Sequence, residues 1–258
     1  MNYQELLAKI ERAPELDFGD LFSNAIELFK KVWLQGFLLQ LIVMLVSYGV
    51  LILLYIPLLG GVFVLGGAEG DFESASGLGG VVFGVLMMFL YIAVILAVQT
   101  LSLGLQAAFF RISRVKERGL DTEQGVNFGM FLRKPYLKKV LVLALAQLGI
   151  MLLASAACFL PLLYVIVPIQ FSILIFAFHP ELSVSDIISA SFKLGNKKWL
   201  LSFGLLIVSG LLAIIVGMIA CGIGVLFTAA FVYLPQYLIY KEVVGFTETT
   251  DAIDQLGS

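Results

Sequence analysis

The sequence predicts an all-α, polytopic membrane helical bundle. Six transmembrane helices are expected as three repeated units, each an amphipathic cytoplasmic helix followed by a transmembrane hairpin. Three observations predict this. Apolar residues make up 60% of the 258-residue chain and charged residues 13%, with a mean hydropathy of +1.03; soluble domains carry roughly 45–50% and about 25%. The charges are clustered, leaving the stretches 34–68, 74–110, 140–179 and 199–240 without Asp, Glu, Lys or Arg. Finally, one pattern of residues recurs along the chain.

An apolar run of about 20 residues crosses the ~30 Å hydrocarbon core. The first span is expected over 34–56, where Pro57 and Gly60-Gly61 break the pattern. A Gly-, Ser- and acid-rich loop follows to Gly80. The second span starts near Val81 and stays apolar to Phe110, some ~45 Å of helix at 1.5 Å per residue. Residues 111–139 read as a basic loop, and 140–178 as a hairpin of the third and fourth spans turning at Phe159-Leu160-Pro161. The polar segment 179–198 leads to a last hairpin over 199–240, turning at Cys221-Gly222-Ile223-Gly224.

Orientation follows from the basic residues. Six crossings put the loop at 58–80 and the two tight turns on one side, and these contain no Lys or Arg. All sixteen basic residues fall on the other side, which the positive-inside rule assigns to the cytoplasm together with both termini. Glu69, Asp71 and Glu73 then face outward as a solvated loop. The first thirty residues lack the basic patch and short apolar core of a cleaved signal peptide.

The repeat is read at an offset of 166: Asp20, Ser23, Lys31, Trp33, Leu34 and Phe37 coincide with Asp186, Ser189, Lys197, Trp199, Leu200 and Phe203. A weaker copy, Lys134-Pro135-Tyr136-Leu137, precedes Lys197-Lys198-Trp199-Leu200 by 63, and the same 63 superimposes Cys158 on Cys221. The integral membrane domain therefore covers 1–258, with units at about 16–112, 120–178 and 184–245. A cytoplasmic segment, 1–15, precedes them, and a cytoplasmic tail, 246–258, follows. Phe18, Leu21, Phe22, Ala25, Leu28, Phe29 and Val32 recur at helical spacing, as do Val184, Ile187, Ile188 and Phe192. Such helices are expected to lie in the headgroup boundary, with Trp33, Tyr136 and Trp199 as interface anchors.

Chemistry is scarce. His179 is the only histidine, and two distant cysteines do not make a metal site. The HExxH, GxSxG, Walker and Gly-x-Gly-x-x-Gly patterns are missing, so neither catalysis nor a cofactor is expected. The near-balance of 16 basic and 18 acidic residues gives no sign of nucleic-acid binding. No ionisable residue falls inside a predicted span, which argues against proton-coupled pumping. What remains is a set of amides in the cytoplasmic halves of the spans: Gln99, Gln106, Gln147, Gln170 and Gln236, with Gln40 beside them. They either bond helices together or line a polar cavity open to the cytoplasm with Tyr164, Tyr233 and Tyr237. Ser209, Ala213, Gly217 and Cys221 form a stripe of small residues, four apart, that lets another helix approach. Cys158 and Cys221 occupy equivalent outer ends, where a disulfide is one expectation and two small apolar residues the other.

The segment Ser189-Ala190-Ser191-Phe192-Lys193, then Lys197-Lys198-Trp199, a hairpin turning at Cys221-Gly222-Ile223-Gly224 and a last helix containing Pro235 carry a resemblance. The chain is similar to a loose group of bacterial six-helix inner-membrane proteins of uncharacterised function. That group includes the membrane domain attached to some glycerophosphodiester phosphodiesterases. The resemblance covers the C-terminal third and otherwise the layout. It implies a bacterial cytoplasmic membrane and carries over no catalytic residue. The expected role is a non-catalytic scaffold or subunit of a membrane complex, in contact with lipid and a protein partner. The alternative is a facilitator or lipid-handling protein using the amide-lined cavity. The oligomeric state stays open.

Overall fold

The computed structural model describes residues 1–66, 78–119, 127–157, 160–219, 222 and 224–246. All secondary structure among them is helical: α1 (Tyr3–Glu11), α2 (Phe18–Gly66), α3 (Leu78–Glu117), a 3₁₀ turn (Met130–Leu132), α4 (Lys134–Ala156), α5 (Leu160–Phe178), α6 (Val184–Lys197), α7 (Trp199–Ile219), α8 (Gly224–Thr228), a 3₁₀ segment (Ala229–Tyr233) and α9 (Leu234–Val244). Among the described residues, five helices contain a stretch long and apolar enough to cross a membrane: α2, α3, α4, α5 and α7. The chain is a multi-pass membrane protein on this evidence. The sixth apolar stretch is divided among α8, the 3₁₀ segment and α9.

The division has a chemical cause. Pro235 has no N–H to give the carbonyl of Phe231, four residues back. The N–H of Leu234 takes that carbonyl in its place, in the tighter i→i+3 pattern. Proline does not act alike everywhere, however. Pro57 was expected to end the first span, yet α2 continues through it to Gly66. Residues 111–117, expected in a loop, extend α3, and Ile112 and Val115 are buried there; helical spacing of apolar residues outweighs the interspersed charges. The segment 1–15 holds a helix, α1, that begins on an Asn2 side-chain cap and buries Leu6, Leu7 and Ile10.

The chain forms two compact units, 1–41 with 103–258, and 42–102. The core of the larger unit is α5. More than half of its apolar window, 56%, is buried within the protein, against none of that in α3. Helices α4 and α6 flank α5, and α1 covers α6 and α9. Gly195 of α6 sits on the ring of Pro168 of α5, where an added Cβ would lie 2.8 Å from Pro168 Cγ. The apolar face of α6 (Ile187, Ala190, Leu194) is thus covered by protein, where sequence alone places it in the headgroup boundary. On α2 the residues Leu21, Ala25, Leu28 and Val32 are buried at helical spacing, and Phe22 and Phe29 meet the edge of Phe231 at 5.9 and 5.5 Å.

The offset of 166 also relates the starts of α2 and α6. Asp17 Oδ1 accepts from the N–H of Asp20, and Ser183 Oγ accepts from the N–H of Asp186, so each helix opens on an N-cap at the matching position. The copies then diverge. Helix α2 runs unbroken through Trp33, whereas Lys198, at φ −116° and ψ 22°, separates α6 from α7.

The small-residue stripe on α7 is used within the chain. Ala213 and Gly217 face the returning strand of sequence: Thr228 Oγ1 donates to Ala213 O at 2.7 Å, and a Cβ on Gly217 would stand 2.6 Å from the backbone nitrogen of Val225. Gly222 makes the turn between them with φ +80°. The fourth member, Cys221, and its counterpart Cys158 lie outside the described residues, as do Glu69, Asp71 and Glu73. Replacing Gly217 by Ala forces backbone apart and is expected to lower stability by about 1–3 kcal/mol. Gly210→Ala, with open space around its Cβ, is expected to be neutral. Thermal unfolding of both variants in detergent checks the pair.

Candidate functional site

The polar chemistry of the larger unit gathers where α3, α5 and α9 end. Arg111 is 1% exposed. Its Nε donates to the carbonyl of Ala177, the penultimate residue of α5, at 2.6 Å, and its guanidinium lies 5.9 and 5.7 Å from the ring centres of Phe131 and Phe178. One turn and a half further along α3, Glu117 accepts from Tyr237 Oη at 2.7 Å and from Lys241 Nζ at 2.6 Å, with Arg114 Nη1 at 3.6 Å. Arg114 in turn stacks over Phe246 at 4.0 Å. Phe246 also packs on Phe178, Tyr237 and Tyr240, turned back by Gly245 at φ +69°.

Four more cations donate to backbone carbonyls at or just past the ends of helices. Lys139 Nζ donates to Pro180 O at 2.6 Å, just past α5, and Lys9 Nζ to Val244 O, the last residue of α9, at 2.9 Å. Lys197 and Lys198 donate to Glu11 O and Pro14 O, at and beyond the end of α1. The last carbonyls of a helix lack intrahelical partners and carry the negative end of its dipole, so Arg111, Lys9 and Lys197 meet both needs, while Lys139 and Lys198 bond to carbonyls a few residues beyond a helix.

His179 stands just past α5, 2% exposed, with Nδ1 3.2 Å from Glu181 Oε1 and a buried Nε2 that has no partner. A histidine oriented by a carboxylate is half of a base-catalysis arrangement. No nucleophile meets its free nitrogen among the described residues, and no three metal-ligating side chains come together there. Burial pushes the Glu181 carboxyl up; its hydrogen bond with His179, together with the charges of His179 and the terminal amine 3.7 Å away, outweighs this and holds its pKa below the ordinary value.

The glutamines singled out by sequence are dispersed. Gln147 of α4 donates to Ser172 Oγ of α5 at 2.8 Å, and Gln236 of α9 donates to Ser202 O of α7 at 3.2 Å. Gln170 is half-buried with an unpartnered Oε1, and Gln106 is half-buried on α3. Gln99 belongs to the 42–102 unit, where it lines a hollow of about 200 Å³ with Ser47 and Tyr91. No two of the five bond to each other among the described residues. Of the aromatic anchors, Trp33 lies 6.2 Å from Phe227, and Tyr136 meets Phe131 edge-on at 5.5 Å. Trp199 stacks on Phe203 at 4.7 Å and donates to Tyr164 O at 3.1 Å.

Sequence reasoning missed Arg111, Glu117 and their partners because it stopped the second span at the first charge. The signal was there: Leu105, Phe109, Ile112 and Val115 keep helical spacing across Arg111. Arg111→Met leaves Ala177 O without its donor, and a loss of about 1.5–3 kcal/mol is expected, the range for a hydrogen bond to a charged group; chemical denaturation in detergent measures it. Glu181, its carboxyl held low, contributes stability above its unfolded pKa of about 4.3 and loses it as pH falls through the still lower folded value. The wild type is therefore expected to lose more thermal stability than Glu181→Gln between pH 6 and the acid limit. The difference should stay under about 1 kcal/mol because the Glu181 side chain is half exposed. Comparison of the chain with protein-family models, curated proteins and solved structures finds no match in any of the three.

Proposed function

We propose that this protein is a non-catalytic subunit or scaffold of a membrane complex. It crosses a bacterial inner membrane six times, with both termini in the cytoplasm. The matching N-caps of α2 and α6 support a repeated design. The basic residues confined to one set of loops support the orientation. The sixth crossing is assigned to α8, the 3₁₀ segment and α9 together.

One observation carries the scaffold role. Among its described residues, the 42–102 unit buries no large apolar side chain fully and leaves most of them exposed, among them Leu45, Ile52, Leu53, Ile56 and Phe89 at 62–68% exposure. Two helices alone present far more apolar surface than their mutual contact uses, and an apolar span of this kind is a surface for lipid or for another membrane helix. Meanwhile Gln147 and Gln236 are committed to helix–helix bonds. The second reading, a facilitator or lipid-handling protein, is favoured by the hollow at Gln99, which opens among Leu51, Leu54, Tyr91 and Val94.

Native mass spectrometry of the protein gently released from its own membrane distinguishes them. The scaffold reading expects a stoichiometric protein partner that is lost when Leu53 and Ile56 are changed to Ala, with the fold intact by circular dichroism. Bound lipid without any protein partner, displaced by Gln99→Leu, overturns the scaffold in favour of lipid handling.

A further inference from the structure

We propose that the seam between α7 and α9 holds an ordered internal water, bound between Gln236 Oε1 and Ser202 Oγ. Both residues are fully buried, and they already touch: Gln236 Nε2 donates to Ser202 O at 3.2 Å. That bond fixes the amide orientation, because the flipped amide would set two acceptors against each other. Oε1 is thereby left with no donor, and the hydroxyl of Ser202 has no partner either.

The second orphan is unusual for this chain. The other buried serine and threonine hydroxyls among the described residues turn back onto a carbonyl three or four residues earlier: Thr100 onto Leu96, Ser113 onto Phe109, Ser172 onto Ile169 and Ser191 onto Ile188. Ser202 and Ser209, both fully buried, do not. Both lie on the face of α7 that receives the divided final stretch. Gln236 pairs with Ser202, Thr228 with Ala213 and Val225 with Gly217. In this antiparallel register Ser209 falls opposite the 3₁₀ segment Ala229–Tyr233. The orphaned oxygens thus flank the one interruption in the last helical stretch, where backbone bonding is tighter and less regular.

The chemistry selects the ligand. Gln236 Oε1 only accepts, and Ser202 Oγ accepts or donates; a water bridging them satisfies both, as buried waters ordinarily do. An alkali cation needs a shell of several oxygens, which one amide and one hydroxyl do not supply. The site is independent of the role proposed above.

Radiolytic hydroxyl-radical footprinting of the full chain in detergent reads this directly, because radicals formed from a fixed internal water mark the side chains beside it. Leu205, one turn along α7 from Ser202, and Pro235, the chain neighbour of Gln236, are both buried and are expected to be modified several-fold more than Phe171 and Phe176, which are equally buried. The excess is expected to vanish in Gln236→Leu and in Ser202→Ala. The second change removes one hydroxyl and serves should the first impair folding. Modification of Leu205 and Pro235 no greater than that of the two phenylalanines overturns the proposal. So does an excess that survives Ser202→Ala in a protein with an unchanged thermal transition.

Discussion

The larger unit depends on cations placed at the carbonyl ends of helices. A helix end buried in protein exposes acceptors that neither water nor a following turn can satisfy. Here Arg111 answers the end of α5 from α3, Lys139 answers the chain just beyond it from α4, and Lys9 answers the end of α9 from α1. Each bond ties together elements far apart in sequence, so the same contacts that satisfy the backbone also set the arrangement of the helices. Arg111 is the extreme case, since its charge is buried and has only a dipole, two aromatic faces and its remaining partners to stabilise it. The basic residues that orient a membrane protein by their number thereby acquire individual structural duties.

Much of the architecture was legible because it rests on apolar runs of set length. The spans within α2, α3, α4, α5 and α7 follow from charge-free stretches, and α6 from the helical spacing of Val184, Ile187, Ile188 and Phe192. The failures share a cause. Pro57 and Arg111 were each judged by local habit, and the outcome was decided by what surrounds them. Pro57 lies in an apolar helix that continues past it, while Pro235 is preceded by a stretch that adopts the tighter 3₁₀ form. Arg111 stays helical because its neighbours are core residues. Helix α1 went unread because nine residues with three buried apolar positions give too weak a pattern until the surfaces of α6 and α9 exist.

The candidate site was less legible than the fold. Sequence pointed to amides inside the spans; the structure gives two of them, Gln147 and Gln236, specific partners on neighbouring helices. The denser polar cluster lies at the helix ends, built from residues that sequence reads as ordinary loop charges. Spacing reveals which residues share a helix face. It does not reveal that Glu117 of α3 will meet Tyr237 and Lys241 of α9, more than a hundred positions later.

The placement of α1 bears on how the chain is made. It leaves the ribosome before α6 and α9, yet Lys9 bonds to Val244, a separation of 235 positions, and Tyr3 reaches Ser189 at 2.8 Å. Contacts that distant form late, after the intervening loop has been closed. The α4–α5–α6 portion, joined by short connections, can assemble as each piece is inserted, whereas α1 waits for α9. A helix made early is thus among the last to find its seat, and its docking closes the α6–α9 surface.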